Sequence, residues 1–171
     1  GMMSDRGEHT LDPVAWALDL GAPETIEGNS TNLNPETHPI ASIVRYSFPA
    51  RGDMPPVVVT WHDGLEPPRQ PDVADPRNMG DGEGGSLFIG SEGLLTAGTY
   101  GNSPRLLPES RMKDFTPPEK TIPRVEGSHE MDWVRACDAG RPPGADFAPA
   151  GPLTETALLG HIAERVPRAV P

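Results

Sequence analysis

The sequence predicts an α+β domain with an open, mainly antiparallel β-sheet and helices packed on one face of that sheet. Three observations lead to this class. The strand-like runs cluster in the middle of the chain. The helix-like runs lie towards the two ends instead of between consecutive strands. No β-α-β alternation reaches the length that a nucleotide-binding domain needs, so the strands are expected to pair antiparallel.

Bulk composition limits the number of domains and the classes of partner. The chain has 171 residues, which fits one domain, and its 22 prolines and 19 glycines indicate a loop-rich fold with a modest core. The net charge of −11 would repel a phosphate backbone, so no nucleic-acid partner is expected. No apolar run approaches the roughly 20 residues of a membrane-spanning helix, so no membrane is expected either. The single cysteine, Cys137, cannot form an internal disulfide and is expected to be buried in a helix.

The first half of the chain predicts one helix and two strands. A short helix is expected over residues 13–20, with Asp12 as its cap and Pro13 at its first position. Strands are expected over residues 40–48 and 57–62, where β-branched residues are frequent.

The second half predicts a hairpin and then two helices. The hairpin turns around Glu92 and Gly93. Ser128 is a plausible N-cap for a helix that Gly140 ends. The strongest helical pattern covers residues 151–166, with a proline at its start and apolar residues four apart.

Three short motifs match known signatures without their structural context. The glycine pattern at residues 80–85 has no buried strand before it and no helix after it, and its two carboxylates would repel phosphate, so a turn is expected. The S-x-x-K match at 110–113 lacks its partner motifs. His129 and Glu130 lack the second histidine of a zinc protease, and a first-turn Glu explains the pair.

Two other histidines lie beside turns. His38 precedes a proline and His62 ends a strand, so either could bind a ligand, although exposed turn positions explain both. No cluster of His, Cys and carboxylates has metal-ligand spacing, so no metal is expected.

The opening segment carries an acidic residue, a glycine, a histidine and a second acidic residue: Asp5, Gly7, His9 and Asp12. One interpretation is structural: Asp12 caps a helix, His9 packs near its start and Asp5 is solvated. The other is catalytic, because a histidine exchanges a proton near neutral pH and a neighbouring carboxylate would orient it.

The segment "DRGEHTLDPVAWAL", residues 5–18, resembles the D-x-G-x-H-x-x-D segment of the Gfo/Idh/MocA oxidoreductases. Residues 38–64, 87–112 and 151–166 also resemble the C-terminal domain of that family, in the same order and especially in its planctomycete-type members. The resemblance covers nearly the whole chain.

The resemblance implies that residues 1–171 are a single substrate-binding and oligomerisation domain with the fold of the glyceraldehyde-3-phosphate-dehydrogenase C-terminal domain. The Rossmann domain that precedes it in the family is expected to be absent, as are the glycine fingerprint and the lysine of the E-K-P segment. Full-length relatives use NAD or NADP to oxidise sugars or polyols. This chain is expected to bind neither nucleotide and to be inactive alone.

The resemblance also implies site residues and partners. Asp5 and His9 match the acidic residue and the catalytic histidine of the family, which relays the proton of the hydroxyl being oxidised. Trp16 and Trp61 are candidates for contact with a sugar ring, with a core role as the alternative. The free face of the sheet is expected to be apolar and to pair with a second copy of the chain as a homodimer.

Two alternative functions remain open on the sequence. The chain is either a non-catalytic dimerisation or carbohydrate-binding module, or a fragment of an NAD-dependent glycosidase. No signal peptide is visible, and a cytoplasmic location is the default expectation.

Overall fold

The computed structural model describes residues 2–65 and 79–166, which form an α+β arrangement of two antiparallel sheets and four α-helices. The predicted class and the predicted antiparallel pairing are therefore confirmed. In chain order the elements are α1 (Met2–Asp5), α2 (Gly7–Ala17), β1 (Thr25–Ser30), β2 (Ser42–Phe48), β3 (Val57–Asp63), β4 (Ser86–Gly90), β5 (Gly93–Ala97), β6 (Arg105–Leu107), a 3₁₀-helix (Glu109–Lys113), α3 (His129–Ala139) and α4 (Phe147–Arg165).

The strands form two separate sheets, which corrects the expectation of one open sheet. β1, β2 and β3 pair in that order, and so do β4, β5 and β6. Short connections let neighbouring strands pair as hairpins, whereas the segment between β3 and β4 is far too long for a hairpin loop. Residues 66–78 of that segment, part of the expected surface excursion, lie outside the described residues.

The core lies between the first sheet and α4. Ile26 of β1 and Val44, Tyr46 and Phe48 of β2 are buried on one sheet face together with Ala163 of α4. The alternation of buried and exposed residues along β2 is the period of a strand with one covered face.

Two glycines allow α4 to approach this sheet closely. A Cβ at Gly28 would overlap the backbone of Ala163, and a Cβ at Gly160 would overlap the hydroxyl of Tyr46. β1 itself, with the polar sequence "TIEGNS", was not predicted as a strand. It forms because its six residues pair in register with β2 and its alternate residues Ile26 and Gly28 face α4.

Helix α2 begins earlier than the sequence predicts. It spans Gly7–Ala17 and not 13–20, so Asp12 lies inside the helix and is exposed instead of capping it. Pro13 is tolerated inside the helix at the cost of one backbone hydrogen bond, because proline has no N–H to donate to the carbonyl four residues earlier.

The two C-terminal helices match their predicted termini in part. The Ser128 hydroxyl accepts a hydrogen bond from the Met131 amide at 3.4 Å, and Gly140 ends α3 in the left-handed region, as predicted. α4 starts at Phe147, earlier than predicted, because Asp146 caps it by accepting from the Ala148 amide at 3.0 Å. Cys137 is exposed on α3, so the expected burial of this thiol was wrong.

Helix α2 is fixed at its C-terminal end by an arginine from another part of the chain. Arg51 donates from Nε to the Leu18 carbonyl at 2.8 Å and from Nη1 to the carbonyls of Pro49 and Pro55. It thereby satisfies a carbonyl that the helix end leaves free. Among residues 2–65 and 79–166, no helix combines the length and the hydrophobicity needed to cross a bilayer.

Candidate functional site

Helices α1 and α2 place Asp5 and His9 one turn apart. The Arg6 amide donates to the Met2 carbonyl at 2.7 Å, and the Thr10 amide donates to the Arg6 carbonyl at 3.1 Å, so helical hydrogen bonding continues across the junction. Residues four apart share a helix face. Both side chains are exposed, and within the described residues no hydrogen bond or ion pair joins them.

The ring of His9 lies against the ring of Tyr100. Their centroids are 5.1 Å apart and the planes are tilted by 57°. Because residue 13 is a proline, the His9 carbonyl also has no helical N–H to accept from. The imidazole of His9 therefore has the ring of Tyr100 on one side, and its other side is open to solvent because the residue is exposed.

An ion pair ties the junction of α1 and α2 to the loop before β4. Nη1 of Arg6 lies 2.8 Å from Oε2 of Glu83. The hydrogen bond and the charge of Glu83 raise the pKa of the Arg6 guanidinium, and Tyr100 and Asp5 add smaller contributions in the same direction. Arg6 thus joins the segment of His9 to the loop that Glu83 belongs to.

Asp81 joins the glycine-rich loop 80–85 to the turn that carries Tyr100. Its carboxylate accepts hydrogen bonds from the Thr99 amide at 2.9 Å, the Thr99 hydroxyl at 3.0 Å and the Glu83 amide at 3.1 Å. These donors hold the pKa of Asp81 below its usual range, the Thr99 amide most of all. The loop is a turn, as predicted, and Glu83 within it pairs with Arg6 beside His9.

This loop does not fit the phosphates of a dinucleotide. It leads directly into strand β4 and not into a helix, so no helix N-terminus faces it. The Asp81 carboxylate takes up the amides of Thr99 and Glu83 that an anion would need, and the charge of Glu83 is of the wrong sign. Loop 80–85 therefore lacks two features by which a dinucleotide fingerprint binds phosphate, a following helix and free backbone amides.

The two candidate tryptophans lie in different environments. Trp16 is 71% exposed and follows His9 by seven residues, about two helical turns along the same face of α2. Trp61, on β3, is half-buried and packs against the core cluster of the first sheet. The structure thus places Trp16 on the helix of His9 and Trp61 in the core layer.

Tyr100 and Arg6 are residues of this site that the sequence did not single out. Tyr100 follows β5 in the segment "AGTYGN", where an aromatic residue stands between glycines after a predicted strand. That pattern is typical of a turn presenting an exposed side chain, and it is the signal that could have identified Tyr100. Arg6 has no such signal, because its partner Glu83 is distant in the sequence.

A second polar cluster lies where α4 meets the first sheet. The rings of His38 and His161 are 4.8 Å apart, and Nδ1 of His161 lies 3.0 Å from Oε2 of Glu164 without hydrogen-bond geometry. Burial lowers the pKa of His38 and of His62, and burial followed by the charge of Glu164 raises that of Asp63. Within residues 2–65 and 79–166, no three His, Cys, Asp or Glu side chains are arranged to hold a metal ion.

Comparison with known proteins finds similarity at the level of structure. No family model matches the sequence, and no curated protein matches it. The chain is similar to a solved oxidoreductase from Agrobacterium radiobacter in complex with NAD+, L-tartaric acid and magnesium, with a TM-score of 0.45 and 14% sequence identity. The match covers 96% of this chain and 47% of that one, so the chain spans about half the length of that protein.

Proposed function

We propose that this chain is the substrate domain of a Gfo/Idh/MocA-type oxidoreductase acting on a sugar or polyol. The observation that carries the proposal is the exposed imidazole of His9, which lies on the ring of Tyr100 and one helical turn after Asp5. This is the segment whose residues resemble the catalytic segment of that family.

The chain's own residues supply proton transfer and orientation. A substrate hydroxyl that reaches the open side of His9 gives up its proton to the imidazole, which acts as the general base. Asp5 lies one turn earlier on the same helix face and offers a carboxylate acceptor to the same hydroxyl. Arg6 and Glu83, already paired at 2.8 Å, offer a donor and an acceptor to neighbouring hydroxyls.

The nicotinamide half of the reaction is assigned to a Rossmann domain outside this chain. The reason is the poor fit of loop 80–85 to phosphate, described above. We therefore expect the chain by itself to bind NAD and NADP no better than background and to give no steady turnover with a sugar panel.

The test is a ligand titration that does not depend on turnover. Carbon-bound ring protons of His9 are followed by NMR while D-sorbitol or D-glucose is added, and His9→Gln identifies the signal among the five histidines. Saturable shifts at His9 are expected, with no comparable shift at His129, which is exposed on α3. Shifts of equal size at both histidines, or none, would count against the proposal.

Calorimetric titration with NAD and NADP is the companion experiment. No heat of binding is expected. Clear micromolar binding would contradict the assignment of the nucleotide to another domain, and Asp81→Asn would then be the first variant to examine.

An assembly module is a second candidate function, favoured by the apolar residues that α4 exposes. Phe147, Leu158 and Ile162 are 82%, 53% and 52% exposed on that helix. The free face of the first sheet is a poorer candidate for pairing, because the aligned residues Glu27, Arg45 and Thr60 are exposed there. The exposed Val58 also lies on that face, so the face is mixed, and the homodimer remains a proposal.

Light scattering at tens of micromolar tests the assembly module. We expect a dimer that Leu158→Glu converts to a monomer, while Glu155→Gln on the same helix leaves it intact. A monomeric parent chain would contradict this second function.

A further inference from the structure

The contacts of Asp81 converge on a single turn. Its carboxylate binds both the amide and the hydroxyl of Thr99, and Thr99 is only 1% exposed. The next residue, Tyr100, is 61% exposed. Thr99, which is fully buried and donates two hydrogen bonds to Asp81, therefore directly precedes Tyr100, whose exposed ring lies beside His9.

The turn is closed on its other side as well. The Gly98 amide donates to the Asn102 carbonyl at 2.8 Å, and the Gly101 amide donates to the Gly98 carbonyl at 2.9 Å. A Cβ added to Gly101 would lie 3.0 Å from Pro13, so the turn rests directly on the helix that carries His9. The backbone that carries Tyr100 is therefore fixed as long as Asp81 holds Thr99.

We propose that Asp81 is a positioning residue of this site and that Tyr100, which it holds on His9, is the ring that contacts the sugar or polyol. The ligand class rests on the proposed function above, whereas the positioning does not. The proposal replaces Trp16 and Trp61 as sugar-contacting residues. An aromatic ring beside hydrogen-bonding groups offers an apolar surface to the C–H face of a sugar.

The positioning is tested without any ligand. A nearby aromatic ring shifts the NMR signals of the His9 ring protons, so Tyr100→Leu should move them and Tyr100→Phe should leave them nearly in place. Asp81→Asn cannot accept from both Thr99 donors and should move the His9 signals in the same direction as Tyr100→Leu. Asp138→Asn, at an exposed carboxylate on α3, is the matched control and should have no effect.

Two Thr99 variants provide a second test of the same contact, which is needed if the Asp81 variant does not fold. Thr99→Ser keeps the hydroxyl donor and should preserve the His9 signals, whereas Thr99→Val removes it and should shift them partway. Unchanged His9 signals in both Asp81→Asn and Thr99→Val, together with a clear shift in Tyr100→Leu, would overturn the positioning role.

The contact with ligand is tested by titration with D-sorbitol and D-glucose. Tyr100→Leu should weaken binding at least tenfold, Tyr100→Phe less than threefold, and Trp16→Leu should leave it unchanged. Equal weakening by Trp16→Leu would overturn the assignment to Tyr100. If neither probe binds the parent chain, the proposed function and the sugar contact fail together, while the ligand-free experiment still decides the role of Asp81.

Discussion

The carboxylate of Glu164 accepts a hydrogen bond from the hydroxyl of Ser42, which joins the last turn of α4 to the first residue of β2. Both residues are almost completely buried, at 2% and 1% exposure. A buried carboxylate is costly unless donors satisfy it. The Ser30 hydroxyl donates to the backbone carbonyl of the same glutamate at 2.7 Å, so two strands are bonded to this one residue.

Removal of the Ser42 hydroxyl should therefore destabilise the first sheet. We expect Ser42→Ala to lower the free energy of unfolding by about 1–3 kcal/mol, because it deprives a buried acceptor of its donor. Chemical denaturation measures this change. The exposed Glu155→Gln on the same helix is the control and should change stability by less than about 0.5 kcal/mol. An unchanged midpoint in Ser42→Ala would contradict this expectation.

Two glycines of α4 should respond to different degrees to the same substitution. Gly160→Ala places a methyl group against the Tyr46 hydroxyl, where overpacking typically costs about 1–3 kcal/mol. Gly151→Ala meets no atom within 4 Å apart from its chain neighbours, of which Pro152 disfavours a Cβ on the helical residue before it, so it should cost less than Gly160→Ala. Thermal unfolding of the pair compares them directly, and a stabilised Gly160→Ala would contradict the close packing of α4 on the sheet.

Acid should release the turn that carries Tyr100 only below pH 4. The pKa of Asp81 is lower in the folded chain than its ordinary value of about 4, so its ionised form stabilises the fold. That contribution is fully present above about pH 4 and is lost as the pH falls through the folded value. The chemical shift of the Thr99 amide reports this titration. A midpoint at or above pH 4, or the same titration in Asp81→Asn, would refute the expectation.

A third carboxylate fixes α3 to the segment that follows it. Asp132 lies 2.6 Å from Nη2 of Arg141 and accepts from the Gly144 amide at 2.7 Å. The amide of Gly144 and then the guanidinium of Arg141 hold its pKa below the usual range. Asp132→Asn should lower the melting temperature, while the exposed Asp138→Asn on the same helix should not. Equal melting temperatures would mean that the contact is broken in solution.

Periodic and capping signals predicted the helices and central strands well. The β-branched run of β3 and the alternation along β2 identify those strands, and Ser128 and Gly140 mark the ends of α3 as expected. These features are local, so a few neighbouring residues determine them. The polar strand β1 was missed because its stability comes from pairing with β2 and from the fit of Gly28 against Ala163.

The candidate site was predictable only along one segment of the chain. Spacing and resemblance pointed to Asp5 and His9, which lie four residues apart. Tyr100 and Glu83 come from loops about 75 to 90 residues further along, and only tertiary contacts bring them to His9 and Arg6. The predicted start of α2 lies too late in the sequence because proline is typical of a first helical position, whereas this helix passes through Pro13.

Helix α2 is bonded to other parts of the fold at both ends. Arg6 pairs with Glu83 at its start, and Arg51 donates to the Leu18 carbonyl at its end. Each residue of an α-helix advances the chain by about 1.5 Å and turns it by about 100°. Inserting or deleting one residue between Thr10 and Ala17 would therefore put the two attachments out of phase, and one of them would have to break. The segment can accept changes of side chain on its exposed face, but its length is set by the separation of two fixed points elsewhere in the fold.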